Sequence, residues 1–236
     1  MLDVPPQPAL TAPAGAQPGL ESTVVVALLP RAATSAGDHL LLRDLVARLT
    51  GVGPSAVTLA QRCPNCGQTG HGPLSVELAA SDPADAPALP GRIHVSLSRA
   101  ARFLAVAVTG AGPVGIDVES VAALASSPVA SALCSPVEAV ALSTLAPAAL
   151  DTALASLWTS KEAVLKAAGV GLRVDPRDLT IEPVTGAADP RLAHWPRAPF
   201  QLDGVHLLSV PAPEGTVVTV AVVCAQRPAV VTSATN

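Results

Sequence analysis

Apolar and polar positions change period several times along the chain. Thr23–Leu29 is a short β-branched run, which predicts a buried strand. Over Asp38–Leu49 the spacing becomes helical: Leu40, Leu41, Leu45, Val46 and Leu49 recur on one side, Arg43, Asp44 and Arg48 lie elsewhere, and Gly51 closes the segment. Residues 61–73 and 81–91 read as loops, the second rich in Pro and Asp. Ile93–Ser96, Phe103–Val108 and Val114–Glu119 read as strands, the last two separated by the turn signal Thr-Gly-Ala-Gly-Pro. Ser135-Pro136-Val137-Glu138 has the form of a helix start: Ser135 caps, Pro136 suits the first turn and Glu138 completes a capping box. A longer helix is predicted from about Pro147 to Ala168, ended by Gly169. Strands are predicted beyond it at Asp178–Glu182, Gln201–Asp203, Val205–Val210 and Thr216–Val223.

This order predicts an α+β fold of two pseudo-symmetric halves, each a small, mostly antiparallel sheet packed with a long helix, over residues 21–112 and 113–227. Residues 1–20, rich in Pro, Ala and Gly, are expected to form a disordered arm, and 228–236 a frayed tail. No short-period repeat is present, which excludes a solenoid.

Composition narrows the function. Half of the 236 residues are hydrophobic and 14% are charged, so the chain as a whole is not a disordered one. Aromatics make up 2% and Tyr is absent, which argues against base-stacking platforms. A net charge of −4 argues against nucleic acid as a partner. The apolar runs are strand-sized, and the stretch from Val121 to Leu157 is broken by Pro128, Pro136 and Pro147, so no membrane span is expected. The first residues lack the basic and apolar regions of a secretion signal, and four Cys in a chain this long do not resemble a secreted disulfide framework. A soluble, cytoplasmic and monomeric protein is the expectation.

Asp117 and Glu119 stand two apart on a predicted strand and so share one face, with Ile116 and Val118 on the other. Adjacent carboxylates repel unless a positive charge intervenes. By themselves they read as the solvated end of a strand. On the long helix, Leu150, Leu154, Leu157, Trp158 and Leu165 define an apolar sector; Lys161 falls inside it, and Glu162 lies at its edge. Lys166 follows Glu162 by one turn. Such a pair is commonly a surface ion pair. Two cations and a carboxylate on one flank also suit a phosphate-and-metal site.

Val114-Gly115-Ile116-Asp117-Val118-Glu119, followed by Trp158-Thr159-Ser160-Lys161-Glu162-Ala163-Val164-Leu165-Lys166, resembles the two-part signature of the 4′-phosphopantetheinyl transferases. Chain length and motif position are similar to the two-halved, surfactin-synthetase-activating type, over about residues 38–225. The resemblance implies transfer of the phosphopantetheine arm of coenzyme A to a serine of an apo acyl or peptidyl carrier protein, with release of 3′,5′-ADP. It implies Mg²⁺ held by Asp117, Glu119 and Glu162, with Glu162 as third ligand or as base, and Lys161 and Lys166 on phosphate oxygens. Lys166 would also serve catalysis. A non-catalytic relative that binds coenzyme A or a carrier is the alternative.

Two positions depart from the family pattern. Its usual Ser-His-Ser reads Ser96-Leu97-Ser98-Arg99 here, so the phosphate-contacting His is Leu97. Arg99 is the expected substitute, beside Ser96 and Ser98 in the coenzyme A site; otherwise the site is weakened. The usual Gly-Lys/Arg-Pro step reads His71-Gly72-Pro73, which leaves that role to His71, and the basic candidates near the first helix reduce to Arg31, Arg43 and Arg48. Separately, Cys63-Pro64-Asn65-Cys66-Gly67 has the form of half a zinc knuckle, with His71 following. With no second pair nearby, Cys134 or His94 would have to complete it, and a reduced pair of loop thiols is the favoured reading.

Overall fold

The computed structural model describes residues 19–79, 91–127, 133–183 and 189–233. The expected arm lies outside this range except for Gly19 and Leu20, as does most of the expected loop at 81–91.

The N-terminal sheet is built from β1 (Thr23–Pro30), β4 (His94–Ala100) and β5 (Phe103–Thr109), with β5 in the middle of the three. Its helix α1 (Ser35–Thr50) is capped by Thr34, whose side chain accepts from the Gly37 N–H, and ends on Gly51 at φ 73°, a left-handed position that favours glycine. The strands β2 (Val57–Arg62) and β3 (Thr69–Leu78) form a separate antiparallel hairpin. The C-terminal sheet is β6 (Val114–Ser120), β10 (Thr216–Val223) and β9 (Val205–Val210), in that order and antiparallel. Between β6 and β9 come α2 (Val121–Ala125), α3 (Pro136–Leu142), α4 (Pro147–Ala167) and the small pair β7 (Thr180–Glu182) and β8 (Arg191–His194). The last strand, β11 (Ala229–Ser233), returns to pair in parallel with β1.

Strand alternation turns these sheets into four layers. Val25, Ala27 and Leu29 of β1, with Leu104, Val106 and Val108 of β5, pack on Leu42, Leu45 and Val46 of α1. The opposite faces meet in the middle: Val24, Val26, Ala105 and Ala107 pack against Ile116, Val118, Val218 and Val220 of the second sheet. The far face of that sheet, with Leu207 and Ala221, receives Leu157, Val164 and Leu165 of α4. Asp117 and Glu119 alternate with Ile116 and Val118, so they stand on the face that receives α4. The period of two dictates this once the apolar positions are buried.

Gly115 sets the spacing between β6 and α4. A Cβ there would lie 2.0 Å from the Ala163 carbonyl oxygen and 2.6 Å from the Ala167 nitrogen. Both are main-chain atoms of a helix, so any larger residue would push α4 off the strand.

The long helix, the capping box at Ser135 and the main strands form where the periodicity places them. Three expectations are corrected. Residues 61–73 are not one loop, because they contain the end of β2 and the start of β3. Gln201–Asp203 is not a strand; Leu202–Gly204 forms a 3₁₀ turn that leads into β9. Within the expected frayed tail, Ala229–Ser233 forms β11, which satisfies the open edge of β1, and residues 234–236 lie outside the described residues. No helix among the described residues is long and apolar enough to cross a membrane.

Candidate active site

Strands β4 and β6 run side by side, joined by side chains. The Ile116 N–H donates to Ser96 Oγ at 3.1 Å, and Ser98 Oγ donates to Asp117 Oδ1 at 2.7 Å. Lys166 reaches across from α4: its Nζ lies 2.6 Å from Asp117 Oδ1, 3.1 Å from Ser98 Oγ and 3.1 Å from the Ile116 carbonyl oxygen. Ser96 and Ser98 are therefore buried brackets that hold the β6 edge.

Asp117 is 3% exposed. Its Oδ1 is fully engaged, while its buried Oδ2 has no hydrogen-bond partner. Glu162, one turn before Lys166, has a buried Oε1 that is likewise unpartnered. Glu119 accepts from Trp158 Nε1 at 3.3 Å. Burial pushes the Glu162 carboxyl above the ordinary glutamate value, and the charges of Asp117 and Glu119 add to this while Lys166 opposes it. Burial and the Asp117 charge push Glu119 in the same direction. Three carboxylates with one lysine among them are thus under-neutralised. Buried oxygens without donors are rare in a folded protein and need an explanation. Oxygens of this kind are the ligands a hard cation takes, although the three carboxylates do not draw together as one ligand group in this structure.

A cleft of about 640 Å³ adjoins this cluster at Glu162 and Lys166. Its walls come from β4, from the β2–β3 hairpin and from the end of α4, and they carry Arg92, Arg99, Arg173, His71 and His94. The cleft is cationic apart from Glu162, which suits a phosphorylated ligand. Leu97 and Arg99 share one face of β4, and both line the cleft. Arg99 Nε donates to Asp38 Oδ2 at 2.5 Å, and Asp38, wholly buried at the start of α1, also accepts from the Ala32 N–H. The Arg99 Nη2 atom has no partner. Asp38 thus anchors the arginine by one nitrogen, while another is buried without a partner.

One expectation meets a different geometry. Lys161 does not face the cleft. It is fully buried, and its Nζ contacts Glu138 Oε2 at 2.5 Å, the Leu133 carbonyl at 2.7 Å and the Pro176 carbonyl at 2.9 Å. The apolar sector in which it lies is the core side of α4, so its charge is answered there. His71 does line the cleft, but its Nε2 faces Cys66 Sγ at 3.2 Å. Arg31, Arg43 and Arg48 do not line the cleft. Sequence reasoning missed Asp38, Arg92 and Arg173. Asp38 entered only as the first residue of the predicted helix, and neither arginine belongs to a periodic pattern.

A model of the 4′-phosphopantetheinyl transferase superfamily matches residues 113–211. Over these residues the chain is similar to that superfamily. The match begins at the turn before β6 and ends just after β9, so it contains Asp117, Glu119, Glu162 and Lys166. The partner strand β4 and the hairpin wall lie outside it. No curated protein matches the chain. Members of the superfamily transfer phosphopantetheine to carrier proteins and typically need a divalent metal. The under-neutralised carboxylates beside a cationic cleft are physically consistent with both requirements.

Proposed function

We propose that this protein is a two-halved, Mg²⁺-dependent 4′-phosphopantetheinyl transferase that modifies apo acyl or peptidyl carrier proteins. The observation that carries this reading is the pair of buried, unpartnered oxygens on Asp117 and Glu162 beside the cationic cleft. Asp117, Glu119 and Glu162 would hold the cation, which supplies neutralisation of the pyrophosphate charge. The protein's own part is positioning and proton transfer. Lys166 holds Asp117 in place and is partly exposed toward the cleft, where it can donate to a phosphate oxygen. Arg99, fixed by Asp38, lines the cleft and would contact a coenzyme A phosphate there in place of the family's usual His. The carrier serine oxygen forms a bond to the β-phosphorus of coenzyme A. The bond from that phosphorus to the bridging oxygen breaks, and 3′,5′-ADP leaves. Where Glu162 is not the third ligand, it is the base that takes the serine proton, directly or through water. Because the chain is itself acidic, docking of an acidic carrier would rest on local patches rather than net attraction.

Mass spectrometry of an apo carrier incubated with the protein, coenzyme A and Mg²⁺ tests this reading. The expected result is a carrier heavier by one phosphopantetheine, lost with EDTA and restored by excess Mg²⁺. No adduct on carriers from several pathway types would overturn it in favour of a non-catalytic relative.

Arg99→Ala is expected to raise the KM for coenzyme A roughly ten-fold or more with little change in kcat, the loss expected of one charge-assisted phosphate contact. A KM equal to that of the wild type would remove Arg99 from the site.

A further inference from the structure

The tip of the β2–β3 hairpin holds a second candidate metal centre, chemically unlike the first. Cys63 and Cys66 lie in the turn, and His71 stands on β3. The Cys63 N–H donates to the Gln68 carbonyl, and the Gly67 N–H donates back to the Cys63 carbonyl, both at 2.9 Å. Arg62 Nε braces the turn on the Gly67 carbonyl at 3.0 Å. Gly72, at φ 98°, lets the returning strand press against the first: a Cβ there would lie 2.8 Å from the Arg62 carbonyl oxygen and 2.9 Å from Cys63 Cα. That close approach carries its neighbour His71 over the turn. One ligand atom each from Cys63, Cys66 and His71 falls within 4.8 Å of the other two. Among the described residues this is the group of three that reaches such spacing. Ligands on a tetrahedral zinc ion stand about 3.5–3.8 Å apart, given Zn–S and Zn–N bonds of about 2.3 and 2.0–2.1 Å.

The hairpin also has a physical need for a crosslink. No residue from Gln61 to Ser75 is buried, so the tip has no core of its own. Yet Gln61, Cys63, Pro64, His71 and Pro73 line the cleft. A wall without a core positions a ligand poorly, and a bound metal can do the work of one.

We propose that Cys63, Cys66 and His71 bind one zinc ion, with water in the fourth position, and that this ion fixes the hairpin wall of the cleft. Two thiolates and an imidazole select a soft or borderline metal, whereas the carboxylates of the other site select a hard one. Cys134 and His94 are not members of the group. The zinc assignment does not depend on the transferase reading, and either can fail alone.

The test uses the full chain, purified under reducing conditions without chelator. Elemental analysis is expected to find about one zinc per chain, retained through desalting. Metal-free protein given one equivalent of Co²⁺ is expected to show a thiolate-to-cobalt charge-transfer band that Zn²⁺ abolishes. Cys66→Ser is expected to lose both signals and to be cleaved faster by protease within residues 61–73, with its circular dichroism unchanged. Absence of zinc together with absence of the cobalt band in the reduced wild type would overturn the proposal. So would full zinc retention by Cys66→Ser.

Discussion

Asp117→Ala is expected to lower phosphopantetheine transfer by at least roughly 10²–10³-fold, the loss typical of removing one group that stabilises transition-state charge. The effect is large because Asp117 does two things. Its Oδ1 anchors Lys166 and Ser98, and its Oδ2 is the buried oxygen left open for a cation. The fold is expected to survive, since Ile116 and Val118 on the opposite face carry the packing of β6. Turnover by mass spectrometry checks the first claim, and a cooperative melt checks the second. Unchanged turnover would remove the carboxylate from the site.

The same cluster sets a pH dependence. The Glu162 and Glu119 carboxyls are raised by burial and by neighbouring carboxylates. Between the ordinary glutamate value and these raised values, the folded protein binds protons that the unfolded chain does not. In that window the stability of the metal-free protein falls as pH rises. Mg²⁺ offsets this cost, so its increment in Tm is expected to be larger near neutral pH than at about pH 5. Asp117→Ala is expected to abolish most of that increment. An equal Mg²⁺ effect in wild type and variant would sink the metal assignment independently of any assay of transfer.

The second large effect concerns stability. Lys161→Met leaves Glu138 charged inside the core, held by the N–H groups of Ser135 and Ile181 but with no counter-charge. Breaking a buried pair from one side costs about 3–5 kcal/mol. For a chain of this size that lowers Tm on the order of 10 °C. Burial already holds the Lys161 ammonium below its ordinary pKa despite Glu138, so the pair is a costly arrangement retained as a unit. The double variant Lys161→Met with Glu138→Gln is therefore expected to recover part of the loss. It is also expected to keep the wild-type KM for coenzyme A, because neither residue lines the cleft. A single variant that melts like the wild type but needs tenfold more coenzyme A would show that Lys161 holds phosphate after all.

Much of this was legible from local pattern. Helical spacing located α1 and α4, and the capping box located the start of α3, because these depend on residues within a turn or two of one another. The alternation of Ile116 and Val118 with Asp117 and Glu119 placed both carboxylates on one face before any packing was known. The hairpin at 57–78 was not legible. Gly70, Gly72 and Pro73 break the strand signal, and its outer part buries nothing that would leave an apolar period. The β11 strand escaped notice because its pairing partner, β1, lies at the other end of the chain.

Short-range periodicity was enough for the two long helices, the main strands, the family signature and the shared face of the paired acids. Only the tertiary structure decided which charges are available for chemistry. The family resemblance set both lysines of α4 on phosphate oxygens, but the core-facing Lys161 meets Glu138 of α3 and is neutralised there, while Lys166 meets Asp117 of β6 at the cleft. Arg99 depends on Asp38, and His71 meets Cys66 only because Gly72 lets two strands touch. A charge takes its role from the partner that compensates its burial, and that partner is set by packing between elements rather than by neighbours in the chain.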